Sequence, residues 1–291
     1  MSDPARPVLR WHGGKWLLAP WIIGHFPRHR IYVEPFGGAA SVLLRKAPAY
    51  AEVYNDLDVE LVNLFRVLRG PDADRLREHL ALTPFARAEF MAAYEPSDDP
   101  VEQARRLIIR SLMGFGNTGA LGRSTGFRAD SNKSGTTPAH DWANYPELLP
   151  DIVARLAGVV IESRDAVAVM RAHDRAETLH YVDPPYVHET RSGGNPYCAK
   201  HKYRHELTDA DHGALLDALR ALKGMVVLSG YPSPLYDKNL DGWLRVERAA
   251  LADGARERTE VLWINPACAA ALEREKAGAG APLFDFQEAA E

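Results

Sequence analysis

The chain has 291 residues, 46% of them apolar and 25% charged, and a formal net charge of −4. That size accommodates one large α/β domain carrying an insertion, or two domains, and the composition is that of an ordinary globular chain. No apolar run approaches the roughly 20 residues that span a bilayer, and the first residues lack the apolar core of a secretory leader, so a cytoplasmic protein is expected.

In chain order, the first clear element is the β-branched run Ile31–Glu34, read as a strand. It enters a small-residue turn with Gly37 and Gly38, after which a helix is expected over 39–47. A strand at Glu52–Asn55 and a helix over 59–69 follow. Roughly a hundred residues then separate this strand from the next, Val159–Glu162, far more than one crossover helix needs. Within that interval 101–113 reads as helical, and Gly114 to Pro146 is rich in Gly, Asn, Ser and Thr. Further strands are expected at Leu179–Val182, Met225–Ser229, Leu244–Ala249 and Val261–Ile264. A helix over 209–222 has Thr208 and Asp211 at capping-box spacing, and Gly224 to stop it. The Ala-Gly-Ala-Gly-Ala stretch after Ala277 reads as a flexible tail, with Pro282 to Phe286 as a weak docking candidate. Strands alternating with helices specify a mainly parallel sheet.

Charge is unevenly spread. Arg105, Arg106, Arg110, Arg123, Arg128 and Lys133 face only Glu102 and Asp130 in their segment, and Arg191, Lys200, Lys202 and Arg204 form a second basic stretch. A mildly acidic body with two basic segments suits contact with phosphate on one face. Cys198 and Cys268 stand far apart, without CxxC spacing, which argues against a disulfide framework or a cysteine zinc site. His188, His201 and His205 do not have the spacing of a helical zinc motif, and no metal is expected.

The strongest chemical signal is Asp183-Pro184-Pro185-Tyr186, directly after a strand, where open α/β sheets bind ligands. The Asp183 carboxylate and the Pro184 carbonyl can both accept hydrogens from one amino group. Such a pair favours the localised lone pair that an aromatic amine needs in order to attack. Consecutive prolines hold these acceptors in place beforehand. Tyr186 offers a face on which a base can stack. The second signal is Glu34-Pro-Phe-Gly-Gly-Ala-Ala-Ser41, a strand running into a tight turn, with Asn55-Asp56 at the end of the next strand. An acid there can accept from both hydroxyls of a ribose. Trp11-His-Gly-Gly-Lys15 suggests a turn closing over a ligand, and Asp165 follows a strand end where it could accept from an adenine amino group.

These motifs, in this order and with Leu228-Ser-Gly-Tyr231, resemble the Dam-type family of DNA adenine-N6 methyltransferases, its phage and prophage forms in particular. The resemblance implies a Rossmann-like α/β methyltransferase sheet with an inserted, mainly helical target-recognition domain. Residues 1–69 and 156–276 would be catalytic, 70–155 the insertion and 277–291 a tail. It implies S-adenosylmethionine as cofactor, contacted by Trp11, Lys15, Asp56 and Asp183, with Phe36, Gly38, Ala40, Ser41 and Asp165 completing the site. Asp183, Pro184, Pro185 and Tyr186 would form the catalytic face against a flipped adenine of duplex DNA. Arg10, before the tryptophan, would reach a target base. Asn117, Arg123, Arg128, Lys133, Arg191, Lys200, Lys202 and Arg204 are the remaining DNA-contact candidates. The chain departs from the family's Phe-x-Gly-x-Gly at Ala40. Alternatives are the same transfer to cytosine N4, an RNA adenine or a protein glutamine; a nicotinamide oxidoreductase, on the glycine turn and Asp56; and a catalytically silent DNA-binding module.

Overall fold

The computed structural model describes residues 4–122, 124–130, 135–187, 190, 204–252 and 256–279. Among them seven strands form one sheet: β1 (Ile31–Glu34), β2 (Ala51–Asn55), β3 (Val159–Glu162), β4 (Thr178–Val182), β5 (Met225–Gly230), β6 (Leu244–Ala252) and β7 (Arg256–Ile264). Their order is β3-β2-β1-β4-β5-β7-β6. The first five run parallel, and β7 and β6 close the edge as an antiparallel pair. Ile31 is in register with Ala51 on one side and with Thr178 on the other. The chain leaves β1 towards β2 and returns on the opposite side at β4. The crevice above the carboxyl ends of β1 and β4 is therefore the topological switch point of the sheet.

Around the sheet lie α1 (Ala19–Ile23), α2 (Val59–Arg69), α3 (Ala73–Leu82), α4 (Arg87–Ala92), α5 (Pro100–Met113), α6 (Pro138–Ala143), α7 (Leu149–Arg155), α8 (Ala166–Ala172), α9 (Asp209–Arg220), α10 (Pro234–Asn239) and α11 (Pro266–Ala279). Strand periodicity divides the core between two faces. Tyr32, Tyr54, Leu179, Tyr181 and Val227 join a cluster that continues through Leu64, Leu76, Phe90, Ile108, Trp142 and Ile152. Their strand neighbours Val33, Val53, Val182, Val226 and Leu228 pack with Met170, Leu216, Leu219 and Tyr236 on the other face. The helices of the long interval thus share one continuous apolar core with the sheet.

A buried ionic trio fastens this junction. Glu52 on β2 accepts two bonds from the Arg155 guanidinium, at 2.6 and 3.0 Å, and one from Lys46 Nζ at 2.6 Å. All three side chains are at most 5% exposed. Arg155 also donates to the carbonyl of Leu43 at 2.6 Å, which ties α7 to the turn after β1.

Several elements differ from the sequence expectation, each for a physical reason. Residues 39–47 form successive irregular turns rather than a helix, because Ala40 adopts a left-handed φ of 54° at their start. That conformation costs an L-residue about 1–2 kcal/mol and interrupts helical hydrogen bonding. Helix α9 has the expected capping box between Thr208 and Asp211 but ends at Arg220, before Gly224. The requirement at Gly224 is space: a side chain there would stand 2.8 Å from the Thr178 carbonyl. β6 and β7 are each longer than their apolar cores, because a mutual antiparallel ladder carries the polar residues 256–260. α11 extends to Ala279, past the expected start of the tail, whose residues 280–291 lie outside the described ones. No helix among the described residues is long and apolar enough to cross a membrane.

Candidate active site

The turn after β1 is built by the end of β2. Gly37 N donates to the Asn55 carbonyl at 2.8 Å, and the Tyr54 hydroxyl donates to the Gly38 carbonyl at 2.7 Å. Gly37 lies against the Tyr54 ring so closely that an added Cβ would come within 2.1 Å of it. Gly38 has a φ of 49°, and its Cβ position is 3.0 Å from Trp11 Nε1. Asp56 completes the turn: its two carboxylate oxygens accept from Gly38 N and Asp58 N, each at 2.8 Å. Burial pushes the Asp56 carboxyl up to about 6, against the pull of those two amides.

On the other side of the switch point β4 delivers Asp183. Its Oδ2 pairs with Lys15 Nζ at 2.9 Å, and its Oδ1 accepts from Ser229 Oγ at 2.6 Å. Ser229 has one hydroxyl proton, and Asp183 takes it. The Tyr181 hydroxyl, 3.2 Å from Ser229 Oγ, is therefore the donor in that contact. Lys15 is held further by the Gly13 carbonyl at 3.0 Å. The Asp183 carboxylate is thus fixed at both oxygens by side chains that are themselves fixed.

Between the two ends lies a cleft lined by Trp11, Lys15, Glu34, Phe36, Gly38, Ser41, Asp56, Asp58, Asp183 and Pro185, among others. Its charged acidic groups are Asp56, Asp58 and Asp183, while Glu34, whose carboxyl is raised to about 8, keeps its proton. Lys15 is paired with Asp183, and Arg204, at the rim, is paired with Asp58 at 3.1 Å and with Glu60. A cleft with this balance favours a cationic ligand over a pyrophosphate. The irregular turns at 39–47 also present no helix N-terminus to a phosphate. Both features remove the support for a nicotinamide dinucleotide.

Glu34 is 2% exposed, and its Oε2 accepts from the Tyr32 hydroxyl at 2.7 Å and from Leu43 N at 3.0 Å. Burial raises its carboxyl from the ordinary 4.5 to about 8, and the charge of Asp183 adds to the rise. Across that interval the folded chain keeps a proton that the unfolded chain has released. Stability is therefore expected to fall as pH rises from 4.5 towards about 8. Glu34→Gln should flatten this slope in denaturation series between pH 5 and pH 8. Parallel curves for variant and parent would show that Glu34 is ionised in the fold.

Of the expected site residues, Trp11, Lys15, Phe36, Gly38, Ser41, Asp56, Asp183 and Pro185 line the cleft. Ala40 is fully buried and does not, so its departure from glycine acts on the backbone. Asp165 instead caps α8, accepting from Ala168 N at 2.8 Å, and is exposed. Pro184 is buried and does not line the cleft. Tyr186 is 8% exposed, with its hydroxyl on Glu260 at 2.9 Å, Lys15 over its ring at 4.7 Å and Tyr231 edge-on at 4.5 Å. A base can stack on this ring only after a rearrangement around it. Asn117 faces His12 Nδ1 at 3.2 Å. Arg10 and Arg128 meet in a separate cleft. Arg123, Lys133, Arg191, Lys200 and Lys202 lie outside the described residues, as do Cys198, His188 and His201.

The basic run on α5 is largely spent inside the protein. Arg105 and Arg106 both bind Glu102, at 2.7 Å each, and Arg110 binds Glu60 at 2.8 Å. Arg105 first, and then Arg106, hold the Glu102 carboxyl down at about 2. All three charges are thus paired within the chain rather than standing alone as their spacing suggested. Ser229, Tyr181, Glu34 and Glu260 went unassigned, although Ser229 stands within the Leu228-Ser-Gly-Tyr231 motif.

A family model described as D12 class N6 adenine-specific DNA methyltransferase matches residues 11–235. A Lactococcus lactis subsp. cremoris protein named Type II methyltransferase M1.LlaDCHI is 27% identical over 256 residues, 80% of this chain and 84% of that protein. A Vibrio cholerae protein named DNA adenine methylase is 23% identical over 195 residues, 62% of this chain. The match spans 65% of the Vibrio protein's length. A Serratia marcescens protein of the same name is 33% identical over 109 residues, covering 36% of this chain and 39% of that protein.

Proposed function

Because this chain belongs to the D12 class N6 adenine-specific DNA methyltransferases, we propose that it transfers a methyl group from S-adenosylmethionine to N6 of an adenine extruded from duplex DNA. The observation that carries this reading is the Asp183 carboxylate, held at both oxygens by Lys15 and Ser229 on the wall of an acidic cleft.

Residues 11–15, 34–39, 41, 42 and 56 line the cleft and fit the cofactor. Asp56 retains lone pairs for the ribose hydroxyls beyond those used by Gly38 and Asp58. Trp11 and Phe36 supply flat apolar walls, and the acidic lining suits a sulfonium with an α-amino group. When bound, S-adenosylmethionine supplies an electrophilic methyl group.

A base inside a duplex cannot reach this cleft, so the adenine is drawn out at a cost of a few kcal/mol. Asp183 and the Pro184 carbonyl accept hydrogens from its amino group and favour the localised lone pair on N6. Lys15 and Ser229 keep the carboxylate aimed before the base arrives, so that little reorganisation is needed in the transition state. Tyr186, swung clear of Lys15 and Tyr231, offers a face to the base. Residues 70–155 are assigned to target recognition, and Arg204, on the cleft rim, to the DNA as it enters.

Ser229→Ala removes a hydrogen bond to a charged group, worth about 1.5–3 kcal/mol. Turnover is expected to drop about 10–100-fold with cofactor affinity unchanged; an unchanged turnover number would separate Ser229 from the aiming of Asp183. The cofactor assignment is tested by calorimetric titration of the protein with S-adenosylmethionine. Saturable 1:1 binding, weakened at least about tenfold by Asp56→Ala through loss of charge-assisted bonds, is expected. Absence of binding by the parent protein would overturn it.

A further inference from the structure

Strand β7 outruns its pairing with β5. Val261 is in register with Gly230, the last residue of β5, and Ile264 with Val227. The two strands are antiparallel, so the residues before Val261 stand beyond the carboxyl end of β5. Asp183 leaves the sheet at that same end, because Val182 is in register with Leu228. Side chains alternate along a strand, so Arg258 and Glu260 share the face of Leu262 and Ile264, which pack with Tyr181 and Val227. The extension thereby brings a carboxylate to Tyr186: Glu260, 7% exposed, accepts from the Tyr186 hydroxyl at 2.9 Å. We propose that Glu260 is a positioning residue that latches Tyr186 closed, and that an extruded adenine gains the tyrosine face only when this bond gives way.

Tyr186 is held in three ways. Lys15 Nζ lies over its ring at 4.7 Å, Tyr231 meets it edge-on at 4.5 Å, and Glu260 accepts its hydroxyl hydrogen bond. Tyr231 is itself covered by Arg258, 5.0 Å from its ring, so the same extension of β7 braces both tyrosines. The two ring contacts have a replacement on base entry, since a stacked base offers a π face of its own. The hydroxyl bond is directional and belongs to this one orientation of the ring, so it governs the opening.

Glu260 suits this part. Burial raises its carboxyl above the ordinary value and the charge of Asp183 adds to the rise, while Lys15, the Tyr186 hydroxyl and Arg258 oppose it. A buried carboxylate depends on the hydrogens it accepts, and withdrawing one is costly. Lys15, the neighbouring cation, is already paired with Asp183 at 2.9 Å. The closed tyrosine is therefore the resting arrangement, and the arrival of a base is coupled to its release.

The inference rests on transfer to an extruded adenine, and its first test needs no DNA. Fluorine NMR of the full chain, with fluorotyrosine in place of tyrosine, reports Tyr186 as the resonance that Tyr186→Phe removes. In the parent that resonance should barely shift between H2O and D2O, as befits a side chain 8% exposed. Glu260→Met, of similar size but without the acceptor, should raise the shift towards that of an exposed tyrosine, and Glu260→Gln should fall between. The milder Glu260→Gln decides if the methionine variant does not fold. A resonance as shielded as the parent's in the folded variants would overturn the latch. Methyl transfer to unmethylated duplex DNA of mixed sequence gives the second readout. Because the open fraction rises, KM for DNA should fall about 10-fold in Glu260→Met and in Tyr186→Phe, and the double variant should gain no more than either alone. An unchanged or raised KM, or additive gains, would overturn the coupling of the latch to base entry. Opening in the variants with no transfer to DNA by the parent would leave the latch standing and remove only the reaction.

Discussion

Asp183→Ala is expected to lower methyl transfer by at least about 10²–10³-fold, the loss typical of one preorganised electrostatic group. The effect is large because Asp183 joins two supports. Lys15 and Ser229 both converge on it, at 2.9 and 2.6 Å, so its removal leaves neither with the carboxylate it aims. Lys15 keeps the Gly13 carbonyl and remains anchored, which limits damage to the fold. Asp183→Asn retains an acceptor for Ser229 but loses the charge opposite Lys15, and should also be severely impaired. The check is single-turnover transfer by folded variants, with cofactor binding measured alongside. Transfer at the parent rate by folded Asp183→Ala would remove the carboxylate from the mechanism.

Glu52→Ala is expected to have the largest effect on stability, about 3–5 kcal/mol, as for breaking a buried ion pair from one side. Glu52 accepts from Arg155, from Lys46 and from Ala49 N, at 3.1 Å for the last. Deleting it leaves two buried cations facing one another, a substantial loss against a total of roughly 5–15 kcal/mol. Burial alone would raise the Glu52 carboxyl, but its bonds to Arg155 and Lys46 reverse this and hold it below the ordinary 4.5. Its contribution is therefore present above pH 4.5 and is lost as pH falls through the lowered value. Urea denaturation at pH 7 should show the full difference with an unchanged m-value, and the gap should close in acid. A loss below about 1 kcal/mol at pH 7 would mean that the trio is a surface-like network of little net worth.

The parallel core was legible because its strands are short apolar runs between turn residues, a pattern that needs no tertiary information. Ile31–Glu34 and Val159–Glu162 have the expected bounds. The lining of the cleft was largely legible too: Phe36, Asp56 and Asp183 belong to motifs that follow strand ends, and Trp11 and Lys15 to a glycine turn before the first strand. Ala40 was hidden: a left-handed alanine carries no local signature, yet it turns an expected helix into irregular turns. The position of Asp165 was not legible, because a capping aspartate and a ligand-binding one look alike after a strand; it caps α8 and does not line the cleft. The ion pairs of the α5 arginines were only partly legible: Glu102 is a helical neighbour of Arg105 and Arg106, but Glu60 for Arg110 and Glu89 for Arg105 are distant in sequence. Glu260 was missed because an alternating polar strand reads as a loop until its partner is known.

The central proposal is that the fixed Asp183 carboxylate prepares an extruded adenine for methylation. The most direct measurement is transfer from methyl-labelled S-adenosylmethionine to unmethylated duplex DNA, followed by digestion and nucleoside analysis. The account predicts label in N6-methyldeoxyadenosine, absent with Asp183→Ala. Label in methylcytosine, or no transfer to DNA by a protein that binds the cofactor, would contradict it.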